Sequence, residues 1–115
     1  MTRRHLLAAC AGTAALLAPA AAARPAPALR LVATDPVTVR GTHFHARESV
    51  RVTVRTADLT RIRRVRATAT GSFTARFTAP VGYDPCADTL RVYATGARGD
   101  AAGLKLPQRA CPPAP

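Results

Sequence analysis

Residues 36–54, PVTVRGTHFHARESVRVTV, contain the two clearest strand patterns of the chain. Residues 37–39 and 50–54 each alternate valine with a polar residue, and the turn-rich segment between them contains Gly41. Alternation at a period of two is typical of a strand that is buried on one face. We therefore expect a strand, a turn and a second strand here, and this unit sets the pattern for the rest of the chain.

Similar runs recur along the chain with turn residues between them, and no ten-residue segment carries a helical stripe of apolar residues. Seven short strands over about 80 residues predict an all-β fold, a single antiparallel immunoglobulin-like β-sandwich. The predicted strands span residues 29–33, 37–40, 49–56, 62–70, 73–77, 89–95 and 101–106.

The phase of the alternation predicts how the strands are oriented and joined. In residues 50–54 the valines face the core, while the arginine and the threonine face water. Ile62 is out of step with the residues that follow it, which predicts a bulge or a strand that begins at Arg64. Gly71 and Ser72 lie between two runs and predict a hairpin that joins them.

The N-terminus has the pattern of an export signal. Arg3 and Arg4 precede an apolar stretch from residue 6 to residue 17, and the small residues 20–23 suit peptidase cleavage. The mature protein would then be secreted or held in the cell envelope, and no later stretch of about 20 apolar residues could span a membrane. We expect a signal peptide at 1–23, a linker at 24–28, the sandwich at 29–111 and a proline-rich tail at 112–115.

Two alternatives concern the export route. The arginine pair Arg3-Arg4 also resembles the twin-arginine motif, which would carry the protein across the membrane already folded. Residues 7–10, ending in Cys10, have the form of a lipobox, in which the cysteine becomes the lipid-modified N-terminus. Because few apolar residues separate Arg4 from Cys10 and the apolar run continues beyond it, we favour a cysteine that is lost with the leader.

The chain is strongly basic. Arginine and lysine outnumber acidic residues by 17 to 6, which gives a net charge of +11, and Lys105 is the single lysine. A charge of this size can favour polyanions, but a basic surface that is merely solvated is the favoured explanation. The sequence does not identify a partner; the candidates are an anionic polymer of the cell envelope, anionic lipid or another envelope protein.

Arginine is densest between residues 61 and 66, and further arginines on neighbouring strands would extend that surface. The guanidinium fork binds phosphate and carboxylate in a bidentate way. Tyr93 is the clearest outward aromatic, so stacking of successive bases, and with it sequence-specific recognition of nucleic acid, is disfavoured. The candidate anion contacts are Arg51, Arg55, Arg61, Arg63, Arg64, Arg66 and Arg76.

Two cysteines, Cys86 and Cys111, would remain after removal of the leader. An even pair in an exported protein indicates a disulfide, and the wide spacing matches neither a metal knuckle nor a redox CxxC motif. We expect this bond to link the tail after the last strand to the loop before the sixth strand.

His43 and His45 are the weak candidates for a metal site. On an extended segment, two residues that are two apart project from the same side, and Glu48 would be a third ligand. A metal site needs three or four ligands held in geometry, so the alternative of two exposed loop histidines is favoured. No cofactor is predicted.

The sequence gives no support for catalysis. Ser49 and Ser72 are the only serines and neither lies in a nucleophile-elbow context, and the six carboxylates form no pair suited to acid–base work. The protein is therefore predicted not to be an enzyme. The tripeptide 98–100, Arg-Gly-Asp, matches an integrin motif, but a hairpin turn that uses Gly99 explains it better.

Glycine, phenylalanine and alternating valines are distributed over three segments: Val37-x-Val39-x-Gly41-Thr42-x-Phe44, Glu48-Ser49-Val50-x-Val52-x-Val54 and Gly71-Ser72-Phe73-x-Ala75-x-Phe77. This succession resembles small bacterial immunoglobulin-like domains of the IPT/TIG kind, and more distantly the neocarzinostatin family. The resemblance implies a β-sandwich that binds a partner or acts as a spacer, or, in the second family, carries a small apolar ligand in a cleft. Ala46 and Arg47 replace the Pro-Gly that often precedes the glutamate in such domains.

Overall fold

Alternating valines and short turns produce two antiparallel sheets that pack face to face. The computed structural model describes Gly12, residues 24–78 and residues 80–113. The sheet orders are β1-β2-β5 and β4-β3-β6-β7, which confirms the predicted antiparallel β-sandwich. The strands are β1 (Ala28–Thr34), β2 (Val37–Thr42), β3 (Ser49–Arg55), β4 (Thr60–Arg66), β5 (Phe73–Arg76), β6 (Leu90–Gly96) and β7 (Ala101–Leu106).

The core lies between the two sheets and is made by the residues that share one phase of the alternation. The three valines of β3 are fully buried, as predicted, and they face the apolar residues of β2 and β5. Phe44, from the loop after β2, packs edge-on against Phe73 with ring centroids 5.0 Å apart. The largest fully buried side chains are Phe44, Leu90, Val37, Val39, Val50, Val52, Val54 and Val92.

The fourth strand differs most from its prediction. It begins at Thr60 and ends at Arg66, and its register with β3 is unbroken, so both alternatives, a bulge at Ile62 and a strand that begins at Arg64, are wrong. Ile62 is out of step because its side chain lies on the outer face of the sheet, where it is exposed. A register shift occurs in β1 instead, between Leu31 and Ala33.

The hairpin predicted at Gly71 and Ser72 is also wrong. β4 pairs with β3, whereas β5 pairs with β2 in the other sheet. The chain leaves the four-stranded sheet after Arg66, and Gly71, with a φ of 80°, accepts a hydrogen bond from the Phe44 backbone N–H at 3.0 Å. The segment between β4 and β5 therefore crosses between the sheets.

The predicted disulfide between Cys86 and Cys111 is present, with the two Cα atoms 5.5 Å apart. It fastens the tail after β7 to the loop between β5 and β6. Two hydrogen bonds support it: the Arg109 N–H donates to the Pro85 carbonyl and the Gln108 side-chain amide donates to the Cys86 carbonyl, both at 2.8 Å.

The N-terminal predictions concern residues that lie almost entirely outside the described part of the chain. Of the proposed signal peptide, only Gly12 is described, so the arginine pair and Cys10 fall outside. Residues 24–27 have no regular secondary structure, and β1 begins at Ala28. Among the described residues, no helix is long and apolar enough to cross a membrane.

Candidate functional site

The outer face of the four-stranded sheet is the most densely basic surface in the described structure. Because the valines of β3 point into the core, Arg51 and Arg55 point outward. Directly opposite residues of antiparallel strands share a face, and the register places Arg64 opposite Arg51, Arg91 opposite Arg55, and Lys105 opposite Arg91. We call this surface the basic face, and its exposed cations are Arg51, Arg55, Arg64, Arg66, Arg91 and Lys105.

The charge of the basic face is not compensated locally. None of the outward positions on β3, β4, β6 or β7 is acidic. Within residues 24–78 and 80–113, two carboxylates, Glu48 and Asp100, lie within 4.0 Å of a basic side chain, and in both cases that side chain is His45. The six cations of the basic face therefore present free guanidinium and ammonium groups to solvent, and their fields add.

The predicted anion contacts do not form one surface. Arg51, Arg55, Arg64 and Arg66 meet on the basic face, whereas Arg76 points outward from the other sheet, opposite Thr38. The remaining two, Arg61 and Arg63, lie in β4 opposite Val54 and Val52, on the inward side of the strand. Of the three arginines expected to extend the β4 cluster, Arg51 and Arg55 do so, whereas Arg76 lies in the other sheet.

The inward arginines have a structural explanation. β4 is an edge strand of its sheet, and all of its side chains except the half-buried Val65 are exposed to solvent. Arg63 reaches across the open side of the sandwich and donates a hydrogen bond to the Arg76 backbone carbonyl. Inward-pointing charges on an edge strand also discourage pairing with a second chain. Arg61 and Arg63 therefore protect the edge and lie off the basic face.

Arg91 and Lys105 belong to the basic face but were not predicted to contact anions. Both alternate with buried or half-buried apolar residues, Arg91 between Leu90 and Val92, so the outward phase of β6 and β7 was the available signal. The density of arginine between residues 61 and 66 drew the prediction to β4 instead. Only the strand order shows that β6 and β7 extend the same face.

The outer face of the three-stranded sheet is also basic, but less so. Arg30 of β1 lies directly opposite Arg40 of β2, and Arg76 lies on β5. The other outward side chains there are threonines, Ala28 and the exposed Val32. This face has half as many cations as the basic face, so it provides an internal comparison for any test of charge.

A second cluster joins the loop between β2 and β3 to the turn between β6 and β7. His45 Nδ1 lies 2.5 Å from Asp100 Oδ2, and the His45 backbone N–H donates to the same oxygen at 2.9 Å. Glu48 accepts hydrogen bonds from the backbone N–H groups of Arg98, at 2.6 Å, and of His45, at 3.4 Å. The cluster therefore fixes two neighbouring loops at one end of the sandwich.

Glu48 is the buried member of this cluster, with 3% of its surface exposed. Its carboxylate lies directly over Gly96, where a Cβ atom would collide with the carboxylate oxygens. Its backbone carbonyl accepts a hydrogen bond from the Ala67 N–H at 2.8 Å. A buried carboxylate that accepts hydrogen bonds from the backbone stabilises the loops it connects.

Asp100 completes the cluster, and it was not predicted because 55 residues separate it from His45. Partial burial pushes the pKa of its carboxyl upward, but the hydrogen bonds with the His45 side chain and backbone N–H, together with attraction to the imidazole, outweigh this effect. The pKa of Asp100 is therefore lowered from its usual value. The residue stays ionised and holds the turn at the end of β6.

His43 is not part of the cluster. Its φ of 63° breaks the extended conformation on which the prediction of two parallel imidazoles rested, and its side chain is exposed. One donor atom from each of His45, Glu48 and Asp100 lies within 4.8 Å of the others. Because those atoms already bond one another and the backbone, the arrangement is explained by the structure of the loops.

Comparisons with known proteins add no relative: no family model matches this chain, and neither a curated protein nor a solved structure matches it.

Proposed function

We propose that this chain is an exported, non-enzymatic binding module of the cell envelope or the surrounding medium, and that it contacts anionic polymers through the basic face. The observation that carries the proposal is the set of six outward cations on one four-stranded sheet with no acidic residue among them. Clustered arginines bind phosphate, sulfate and carboxylate groups by bidentate hydrogen bonds.

Export is supported by two independent features. Residues 1–23 have the composition of a leader, and a disulfide is typical of proteins that fold in an oxidising compartment. A small sandwich with three phenylalanines and no tryptophan has a thin core, for which such a bond compensates. Polymers with repeated negative charges are the partners that this surface suits best.

The test compares two double variants that remove the same charge from opposite faces. Arg51→Ser/Arg91→Ser alters the basic face, and Arg30→Ser/Arg40→Ser alters the outer face of the three-stranded sheet. Binding to inorganic polyphosphate is measured by calorimetry at several salt concentrations. We expect the first variant to bind about tenfold more weakly, because each exposed ion pair contributes up to about 1 kcal/mol.

The matched control, Arg30→Ser/Arg40→Ser, should bind polyphosphate nearly as well as the unaltered protein. Binding of the unaltered protein should weaken as salt increases, because the contacts are ionic. Equal losses in both variants would show that binding follows net charge alone, without a defined face. Absence of binding to polyphosphate at low salt would refute the proposal.

A carrier for a small apolar ligand is the alternative. A depression of about 390 Å³ at the end of the sandwich is lined in part by Pro36, Val37, Phe77, Val81 and Tyr83. Its volume is within the range of small-molecule sites, at about 300–1,000 Å³. A small molecule that stays bound to the purified protein in native mass spectrometry would favour the carrier over the polymer-binding module.

A further inference from the structure

An uncharged row crosses the middle of the basic face. Ile62, Thr53, Tyr93 and Gly103 lie directly opposite one another on β4, β3, β6 and β7. Ile62 is 49% exposed and Tyr93 43% exposed, so both present apolar surface to solvent. With strands about 4.8 Å apart, the row extends for about 14 Å across the sheet. We call it the central row.

The cations of the basic face border the central row on both sides. Two residues away along the strands in one direction are Arg64 and Arg51, and in the other direction Arg55, Arg91 and Lys105. Residues that are four apart on a strand are separated by roughly 13 Å, so the two lines of cations lie about 6 to 7 Å from the apolar row. A chain that lies along the row would meet Arg55, Arg91 and Lys105 along one edge, and Arg64 and Arg51 along the half of the other edge formed by β4 and β3.

The end of the central row at Gly103 is open. A Cβ atom at Gly103 would be 3.9 Å from Tyr93 Cδ1, so the missing side chain leaves one edge of the ring uncovered. A shallow depression of about 310 Å³ forms there, lined by Arg91, Tyr93, Gly103, Leu104 and Lys105. It combines the edge of an aromatic ring with two cations, which suits a group that has both an apolar surface and a negative charge.

We propose that the basic face takes a linear anionic polysaccharide, with its sugar rings on the central row and its carboxylate or sulfate groups on the flanking cations. This inference rests on the proposed function and names its ligand class. The apolar C–H surface of a sugar ring packs against Tyr93 and Ile62, while the anionic substituents reach Arg91, Lys105 and Arg51. Tyr93 is the one aromatic side chain on this face among the described residues, whereas single-stranded nucleic acid is bound by several successive aromatics.

The experiment compares two polyanions that differ in their apolar surface. Polygalacturonate has sugar rings and carboxylates, whereas inorganic polyphosphate has charge without rings. In the full chain, Tyr93→Ser should weaken binding of polygalacturonate about fivefold, which corresponds to roughly 1 kcal/mol, and leave binding of polyphosphate unchanged. Tyr93→Phe retains the ring and should bind polygalacturonate like the unaltered protein.

Ile62→Ser tests the other end of the row without altering Tyr93, and should weaken polygalacturonate binding by a smaller factor. If Tyr93→Ser and Ile62→Ser leave polygalacturonate binding unchanged, or weaken both ligands equally, the inference is wrong although the proposed function stands. If polyphosphate does not bind the unaltered protein at low salt, the proposed function fails and the inference fails with it. A single-stranded DNA oligonucleotide is the third ligand. If Tyr93→Ser weakens its binding as much as it weakens binding of polygalacturonate, nucleic acid is the occupant and the inference is overturned.

Discussion

At the scale of single residues, Arg47 has an unfavourable backbone conformation. Its φ is 57°, in the left-handed region that glycine adopts without strain. The conformation is held because the Arg47 N–H donates to the Thr68 carbonyl at 3.0 Å, and the next residue is the buried Glu48. The turn therefore keeps a shape that suits glycine although the chain has arginine there.

Replacing Arg47 with glycine should stabilise the protein relative to replacement with alanine. Both variants remove the same charge, but only glycine relieves the left-handed strain, which costs about 1 kcal/mol for an L-residue. Urea unfolding of Arg47→Gly and Arg47→Ala should therefore differ by about 1 kcal/mol in favour of glycine. Equal stabilities would show that the backbone is relaxed at this position.

The identity of the buried residues was predictable because the strands alternate strictly. Val50, Val52 and Val54 were assigned to the core from their phase alone, and all three are buried. The partnership of His45 with Asp100 was not predictable, because it depends on a turn that comes 55 residues later. Contacts between loops follow from the arrangement of the whole fold and leave no periodic pattern in the sequence.

At the scale of strands, the positions of the elements were predictable but their partners were not. Gly71 has the positive φ typical of a turn residue, so a hairpin between two runs was the simplest interpretation. A turn that crosses between sheets has the same composition as a turn within a sheet. The distinction follows from the pairing of β4 with β3 and of β5 with β2.

The disulfide links the tail to the loop between β5 and β6, and its loss should lower stability. Closing a loop between cysteines 25 residues apart contributes about 3 kcal/mol. Dithiothreitol should therefore lower the midpoint of thermal unfolding by more than about 10 °C, given about 4–8 °C per kcal/mol for a small domain. The measurement is circular dichroism at the wavelength of the β-sheet signal.

The control is the double variant Cys86→Ala/Cys111→Ala, which should unfold at the temperature of the reduced protein and should not respond to dithiothreitol. An unchanged midpoint on reduction would contradict a stabilising role. A response of the double variant would show that the reductant acts elsewhere.

At the scale of the whole molecule, the two outer faces of the sandwich have different properties. Basic residues occur on both, but the four-stranded sheet carries six outward cations and the exposed Tyr93, while the three-stranded sheet carries three cations, Arg30, Arg40 and Arg76. Four of the seven candidate arginines, Arg51, Arg55, Arg64 and Arg66, lie on the basic face. Arg91 and Lys105 were not predicted, because the strand order that places Arg91 beside Arg55, and Lys105 beside Arg91, has no local signature in the sequence.

The most direct test of the central claim is a two-dimensional ¹H–¹⁵N NMR titration of the protein with short polygalacturonate fragments. We predict that the largest changes in amide chemical shift will occur in β3 and β6, at Arg51, Thr53, Arg91 and Tyr93, with small changes in β1, β2 and β5. Largest changes at Arg30 and Arg40, or changes spread evenly over both sheets, would contradict the assignment of the basic face as the binding surface.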